Sequence, residues 1–178
     1  MSTMHIRPPG SLTNIDTVQQ FPLGLTWFKP SHQGGTGYVY LEQAGADAFT
    51  AGDVASVYDS SGFSFGKCTT TDATTPAFGD ATTDRVLVAG IALSALTVGT
   101  FGWLWFWGYG THAITTDGNV AAFQEIICAT DAKVATPNTT AATAHHLAFG
   151  VALAADSSTT LSIANLGGRG MFRWGMAA

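Results

Sequence analysis

The chain has 178 residues, which is enough for one compact domain with a sizeable core. Hydrophobic residues make up 46% and charged residues only 11%, less than half of the charged share of an ordinary globular domain. The net charge is −5 and the seven Lys and Arg stand singly, so we expect neither a nucleic acid nor an anionic membrane as a partner.

Residues 1–37 predict an extended N-terminal arm, because they hold four of the six prolines and few periodic apolar stretches. One strand is predicted within it, over residues 23–28. Arg7 is not followed by an apolar run, so we do not expect a secretory signal. We expect the arm to lie across neighbouring subunits, since an extended chain spans ~3.3 Å or more per residue.

Residues 38–164 predict one β domain built from two tandem repeats, at about 38–95 and 103–155. Short segments recur in the same order in both repeats. They are TAGDVA at 50–55 and TDGNVA at 116–121, the TDA and TP elements after Cys68 and again after Cys128, and AGIALS at 89–94 and FGVALA at 149–154.

Each repeat opens with an aromatic or alternating strand, at residues 38–41 and 103–107. A Gly-Asp or Gly-Asn turn then leads into a second strand, at 54–58 and 120–127. We expect the second strand to pair with the first as a hairpin.

A stretch rich in Thr, Ala, Asp and Pro follows in each repeat, at 69–84 and 130–143, and predicts a surface loop. Each repeat closes on an apolar strand, at 86–93 and 147–153. Tandem β units with short turns predict an all-β fold, either a β-barrel or a sandwich.

Residues 86–110 carry no charge and are long enough to cross a bilayer as a helix, but five glycines interrupt them. The matching segment of the second repeat runs directly into Asp156 and a polar stretch. We therefore expect strand, turn and strand here, with the turn at 96–100, and no membrane span. Residues 165–178 predict a Gly-rich C-terminal tail whose Phe172 and Trp174 dock on neighbours.

No group of residues predicts a catalytic, cofactor or metal site. His145 and His146 are adjacent, so on a strand they point to opposite faces and suit hydrogen bonding at the surface better than one metal ion. Asp47, Asp53 and Asp59 recur every six residues without the spacing of a calcium loop, and Asp53 suits a turn.

Two further patterns have a structural interpretation that we prefer. The glycine-rich run at 34–37 lacks the Lys and Ser or Thr of a phosphate-binding loop and predicts a turn. Cys68 and Cys128 have no zinc spacing and predict small buried side chains, while a bridge between them stays open.

Trp103, Trp105 and Trp107 fall on one face of a strand by its period of two. Such a row could stack on sugars, but a core wall or a subunit interface is the more frequent use of three indoles. The row therefore supports carbohydrate or receptor binding as an alternative function.

Several segments together resemble the small β-barrel head decoration, or cement, proteins of tailed bacteriophages. They are FPLG at 21–24, YVY at 38–40, AGDV at 51–54, GIAL at 90–93, GW at 102–103 and GVAL at 150–153. The resemblance covers roughly residues 20–163 through short segments. With it, the alternative function suggested by the tryptophan row is that of a carbohydrate- or receptor-binding module of a phage tail fibre or spike.

The resemblance implies a non-enzymatic viral structural protein on the outer surface of the capsid in the virion, assembled in the host cytoplasm. It implies the major capsid protein and further copies of the chain, as a homotrimer, as partners. The protein would clamp neighbouring capsomers through its surfaces, with no catalytic, cofactor-binding or metal-binding residue. Deleting residues 1–20 is then expected to weaken capsid binding.

Overall fold

In a computed structural model, the structure describes residues 10–30, 35–45, 47–59, 63–70, 87–110, 112–128, 135–137, 148–157, 159–161 and 164–167. All the regular secondary structure within these ranges is β-strand, which confirms the predicted all-β class. The strands are β1 (Thr26–Lys29), β2 (Thr36–Gln43), β3 (Val54–Asp59), β4 (Phe63–Thr70), β5 (Val88–Ala92), β6 (Phe101–Gly110), β7 (Ile114–Thr115), β8 (Glu125–Cys128), β9 (Ala135–Pro137), β10 (Gly150–Ala152), β11 (Thr160–Leu161) and β12 (Ala164–Leu166).

Five of these strands close into a barrel. Going around it, β2 pairs with β4, β4 with β3, β3 with β5, β5 with β6, and β6 returns to β2. The pairing of β2 with β4 is parallel and the others are antiparallel. The sequence predicted a barrel or a sandwich, and this closure is that of a barrel. β1 extends the wall by pairing with the first half of β2.

The long strand β6 links the barrel to the second half of the chain. Its last three residues, from Gly108 to Gly110, pair with β12, and β10, β8 and β9 follow in that order. The order β4-β3-β5-β6 in the first half therefore recurs as β9-β8-β10-β12 in the second. Cys68 lies on β4 and Cys128 on β8, which do not correspond in this order, so the duplication stays a prediction.

The predicted hairpins are wrong, because in each repeat the opening strand does not pair with the second strand of that repeat. β2 pairs with β1, β4 and β6, and β3 pairs with β4 and β5. The ten residues between β2 and β3 form an anchored connection instead of a tight turn. Within it Phe49 is buried, and its backbone N–H donates to the carbonyl of Leu96 at 2.8 Å.

The second strand of the second repeat is shorter than predicted. Of residues 120–127, only the last three belong to β8, since a turn at 121–124 comes first. The strand β4 was not predicted, and it includes Thr69 and Thr70 from the first predicted loop. β9 lies in the second predicted loop, at the edge of the sheet, where Pro137 can be tolerated. The rest of both loops lies outside the described residues.

Residues 87–110 form strand, turn and strand as predicted. A turn between β5 and β6 is closed by the Thr100 N–H, which donates to the carbonyl of Thr97 at 3.0 Å. In the part of the chain that the structure describes, no helix is long and apolar enough to span a bilayer.

Residues 10–30 pack on the sheet of their own chain. Leu12, Phe21, Leu23, Leu25 and Trp27 lie against the core, and the backbones of Asp16 and Phe101 exchange two hydrogen bonds of 2.9 Å. A reach across neighbouring subunits stays a prediction, and residues 1–9 lie outside the described residues. At the other end, β12 crosses the predicted domain boundary at residue 164, and Phe172 and Trp174 also lie outside the described residues.

Candidate functional site

The row of tryptophans divides between the core and the surface. Trp103 and Trp105 are fully buried, directly paired with Tyr40 and Tyr38 across the β2–β6 ladder. Paired residues project on the same face of a sheet, so these four rings form one aromatic wall. Phe21 packs edge-on against it, with its ring centroid 5.1 Å from Tyr40 and 5.4 Å from Trp103. The predicted core wall is therefore confirmed for two of the three indoles.

Trp107 lies on the opposite face of the sheet, which corrects the expectation of one shared face. The register of β6 against β2 shifts between Gly37 and Tyr38, so that Gly37 opposes Trp107 while Tyr38 opposes Trp105. Phe106 is the extra residue of this β-bulge, and a bulge reverses the side-chain alternation that follows it. A sugar platform made of the three-indole row is therefore wrong, because two of its members are inside the protein.

Trp107 instead belongs to an exposed aromatic pair with Phe28, which we call the Phe28–Trp107 pair. The two side chains are 44% and 41% exposed, and their ring centroids lie 5.8 Å apart in an edge-to-face arrangement. Gly37 stands between them on β2, and a Cβ there would come within 2.8 Å of the Phe28 ring. The absence of a side chain at Gly37 thus lets two rings from β1 and β6 meet across β2.

Buried neighbours hold the Phe28–Trp107 pair in place. Phe106, which is buried, contacts Phe28 with a centroid distance of 5.9 Å, and the indole N–H of Trp105 donates to the carbonyl of Trp107 at 3.0 Å. Rigid aromatic side chains contribute contact area at low entropic cost, so an exposed pair of this kind is suited to binding another protein. The sequence did not predict this pair, because neither the bulge nor the close approach across Gly37 can be recognised from the period of the side chains.

His112 closes one end of the aromatic wall. Its Nε2 lies 2.9 Å from the hydroxyl of Tyr38, and its ring centroid lies 5.5 Å from that of Trp105. Burial lowers the pKa of His112 below its usual value, and the nearby charge of Lys29 lowers it further. The neutral imidazole is therefore the form that the folded protein holds.

The free energy of unfolding should consequently fall in mild acid. An unfolded His binds its proton near pH 6.5, whereas the folded His112 resists it to a lower pH. As pH falls below about 6.5, the unfolded state takes up the proton first and stability declines, until the folded imidazole titrates too. Urea unfolding at several pH values between 7.5 and 5 should show this slope in the wild type and a flatter one in His112→Gln. Parallel slopes would contradict it.

Asp53 has the structural role that its turn predicts. Its carboxylate accepts hydrogen bonds from the backbone N–H and the hydroxyl of Thr50, at 2.7 and 2.9 Å, and from the Thr115 hydroxyl at 3.4 Å. Asp53 thus fixes the turn before β3 and ties it to β7. Asp47 lies in the connection before this turn and Asp59 ends β3, so the three residues belong to separate parts of the fold.

The remaining candidates divide between structural roles and undescribed parts of the chain. Gly35 has a φ of +87° just before β2, as a turn requires, and Gly34 lies outside the described residues, as do His145 and His146. Both cysteines are free, and burial raises the pKa of the Cys68 thiol. Among the described residues, no three His, Cys, Asp or Glu side chains are grouped to hold a metal ion.

The protein is thus an all-β barrel that carries an exposed aromatic pair, Phe28 and Trp107, among its described residues. No protein-family model matches the chain, and no curated protein matches it significantly in sequence. Among solved structures, it is similar to the N base of the head fiber gp8.5 in bacteriophage phi29. The TM-score is 0.45 and the identity 10%, over 73% of this chain and 94% of that chain. Similarity at this level transfers no function.

Proposed function

We propose that the chain is a non-enzymatic structural protein of a tailed-phage virion. It binds the outer surface of the capsid and stabilises the shell by clamping neighbouring capsomers. The proposal starts from the resemblance of its sequence segments to head decoration proteins. The observation that carries it is the Phe28–Trp107 pair, an apolar surface held rigidly on a closed barrel in a chain with only 11% charged residues.

The barrel supplies what a clamp needs. Its wall is closed between β2 and β6, and the aromatic wall is covered by residues 10–30, so the domain does not need a partner to bury its core. Exposed apolar groups are then available for contacts between molecules. Weak contacts repeated by the symmetry of a capsid add up through avidity to a stable attachment.

Binding to heads tests the proposal. Heads are purified from phage whose gene for this chain is deleted, mixed with the purified protein, and sedimented. We expect saturable binding of the wild type at a fixed number of copies per head and a higher melting temperature for the decorated heads. A protein that stays in the supernatant at micromolar concentration would contradict the proposal.

We further propose that the Phe28–Trp107 pair mediates self-association as a homotrimer. Near a three-fold axis, the Phe28–Trp107 pair of one subunit can pack against the same pair of the other two subunits, which buries the exposed parts of both rings. The double variant Phe28→Ser, Trp107→Ser is expected to sediment as a monomer where the wild type sediments as a trimer. Val98→Ser is the matched control, since Val98 is 55% exposed in the turn before β6. A double variant that still forms a trimer, or a wild type that is monomeric, would contradict the proposed role of the pair in trimerisation.

A further inference from the structure

Phe123 combines high exposure with an unfavourable backbone conformation. It is 77% exposed, more than any other large apolar side chain among the described residues. Its φ is +63°, and it is the only non-glycine residue of the described chain with a positive φ. This left-handed region disfavours L-residues, and bulky ones are rare in it. Phe123 therefore costs stability while burying little of its own ring.

The turn that carries Phe123 is firmly held. The Gln124 N–H donates to the Ala121 carbonyl at 3.2 Å, and the Gln124 side-chain oxygen accepts from the Ala121 N–H at 2.9 Å. The Phe123 N–H donates to the Ala152 carbonyl on β10 at 2.8 Å. The backbone that carries the ring is thus already ordered, so little backbone entropy is lost when the ring enters a binding pocket.

The turn has a counterpart in the first half of the chain, where glycine occupies the place of Phe123. The turn before β3 has the same hydrogen bonds as the turn before β8, since the Asp53 N–H donates to the Thr50 carbonyl at 3.2 Å and the Gly52 N–H donates to the Ala92 carbonyl on β5 at 2.8 Å. Gly52, like Phe123, has a positive φ, of +94°. The turn itself needs this conformation, which glycine adopts without strain. The sheet therefore gives no reason for a phenylalanine ring at position 123.

We propose that Phe123 is an anchor that inserts its ring into an apolar pocket on the partner protein, bordered by Lys or Arg. Exposed Ala121 and Ala122 beside it are small and allow a close approach. The segment 112–128 contains Asp117 and Glu125 and no Lys or Arg, so it attracts a cationic border and repels the same segment of a second copy. The partner identity rests on the proposed function, under which it is the capsid.

Head binding of Phe123→Gly tests the anchor, because glycine removes the ring and suits the positive φ. We expect its affinity for heads lacking the protein to fall at least about tenfold, as for other aromatic hot spots, while its melting temperature rises by about 2 °C or more. Phe123→Tyr should keep the affinity. Val18→Ser is the control, since Val18 is 68% exposed elsewhere. A Phe123→Gly protein that binds as tightly as the wild type would overturn the inference.

A photocrosslinker identifies the partner directly. With p-benzoylphenylalanine in place of Phe123, irradiation of decorated heads should join the chain to the capsid protein. A crosslink to a second copy of this chain, or no crosslink at all, would overturn the assignment. If the wild type itself did not bind heads, the proposed function would fail together with this partner. Binding by the wild type and by Phe123→Gly alike would remove only the anchor.

Discussion

Replacing Trp105 with alanine is expected to lower the free energy of unfolding by about 3–5 kcal/mol, the cost of deleting a large buried aromatic side chain. Trp105 is fully buried in the aromatic wall, packs against His112 and donates its indole N–H to the Trp107 carbonyl. Its removal leaves a cavity and deletes this hydrogen bond. Urea unfolding followed by far-ultraviolet circular dichroism measures the loss without depending on the fluorescence of the deleted indole.

Trp107→Ala is the matched control, since it deletes the same side chain two residues away on the opposite, exposed face. We expect it to cost about 1 kcal/mol or less, in line with surface positions. Trp105→Phe, which keeps most of the volume, should lie between the two and guards against a variant that does not fold. If Trp105→Ala and Trp107→Ala lowered the free energy of unfolding equally, the assignment of the two indoles to opposite faces by the bulge at Phe106 would be contradicted.

Alanine at Gly90 or Gly150 is expected to destabilise the protein by about 1–3 kcal/mol through overpacking. A Cβ on Gly90 would lie 2.9 Å from the Trp105 carbonyl oxygen, and one on Gly150 would lie 2.8 Å from that of Asn165. Both neighbours are backbone atoms of the next strand, which cannot move without disturbing the ladder. The two glycines occupy matching places in the recurring strand order, so we expect similar losses at both.

Gly118→Ala provides the control, because no atom lies within 4 Å of a Cβ at that position. Its effect should stay within about 0.5 kcal/mol. Thermal and urea unfolding of the three variants measure the comparison. A large loss at Gly90 with none at Gly150 would contradict the shared role of the two positions.

Local sequence patterns predicted the strands better than their partners. The residues at 38–41, 54–58 and 103–107 lie in β2, β3 and β6, because β-branched and aromatic residues favour strands. The hairpins failed because strand pairing depends on contacts distant in sequence. β4 was missed because Ser64, Gly66 and Lys67 interrupt its apolar residues, and its position between β2 and β3 supplies the pairing that forms it.

Surface features were harder to predict than the core. The row at Trp103, Trp105 and Trp107 followed a regular period, whereas the bulge at Phe106 moves the third indole to the other face. Phe123 was placed inside a predicted strand, since no sequence feature marks an aromatic residue with a positive φ. Both exposed aromatic features thus arise where the backbone departs from regular geometry, which a periodic pattern cannot show.

The copy number of the chain in purified virions tests the central claim most directly. Quantitative mass spectrometry, with isotope-labelled peptides of this chain and of the major capsid protein, gives the ratio of the two. A surface clamp on the capsid predicts hundreds of copies per particle, in a fixed ratio to the capsid protein. A handful of copies would place the chain in a tail fibre or spike, and its absence from virions would contradict a structural role in the particle.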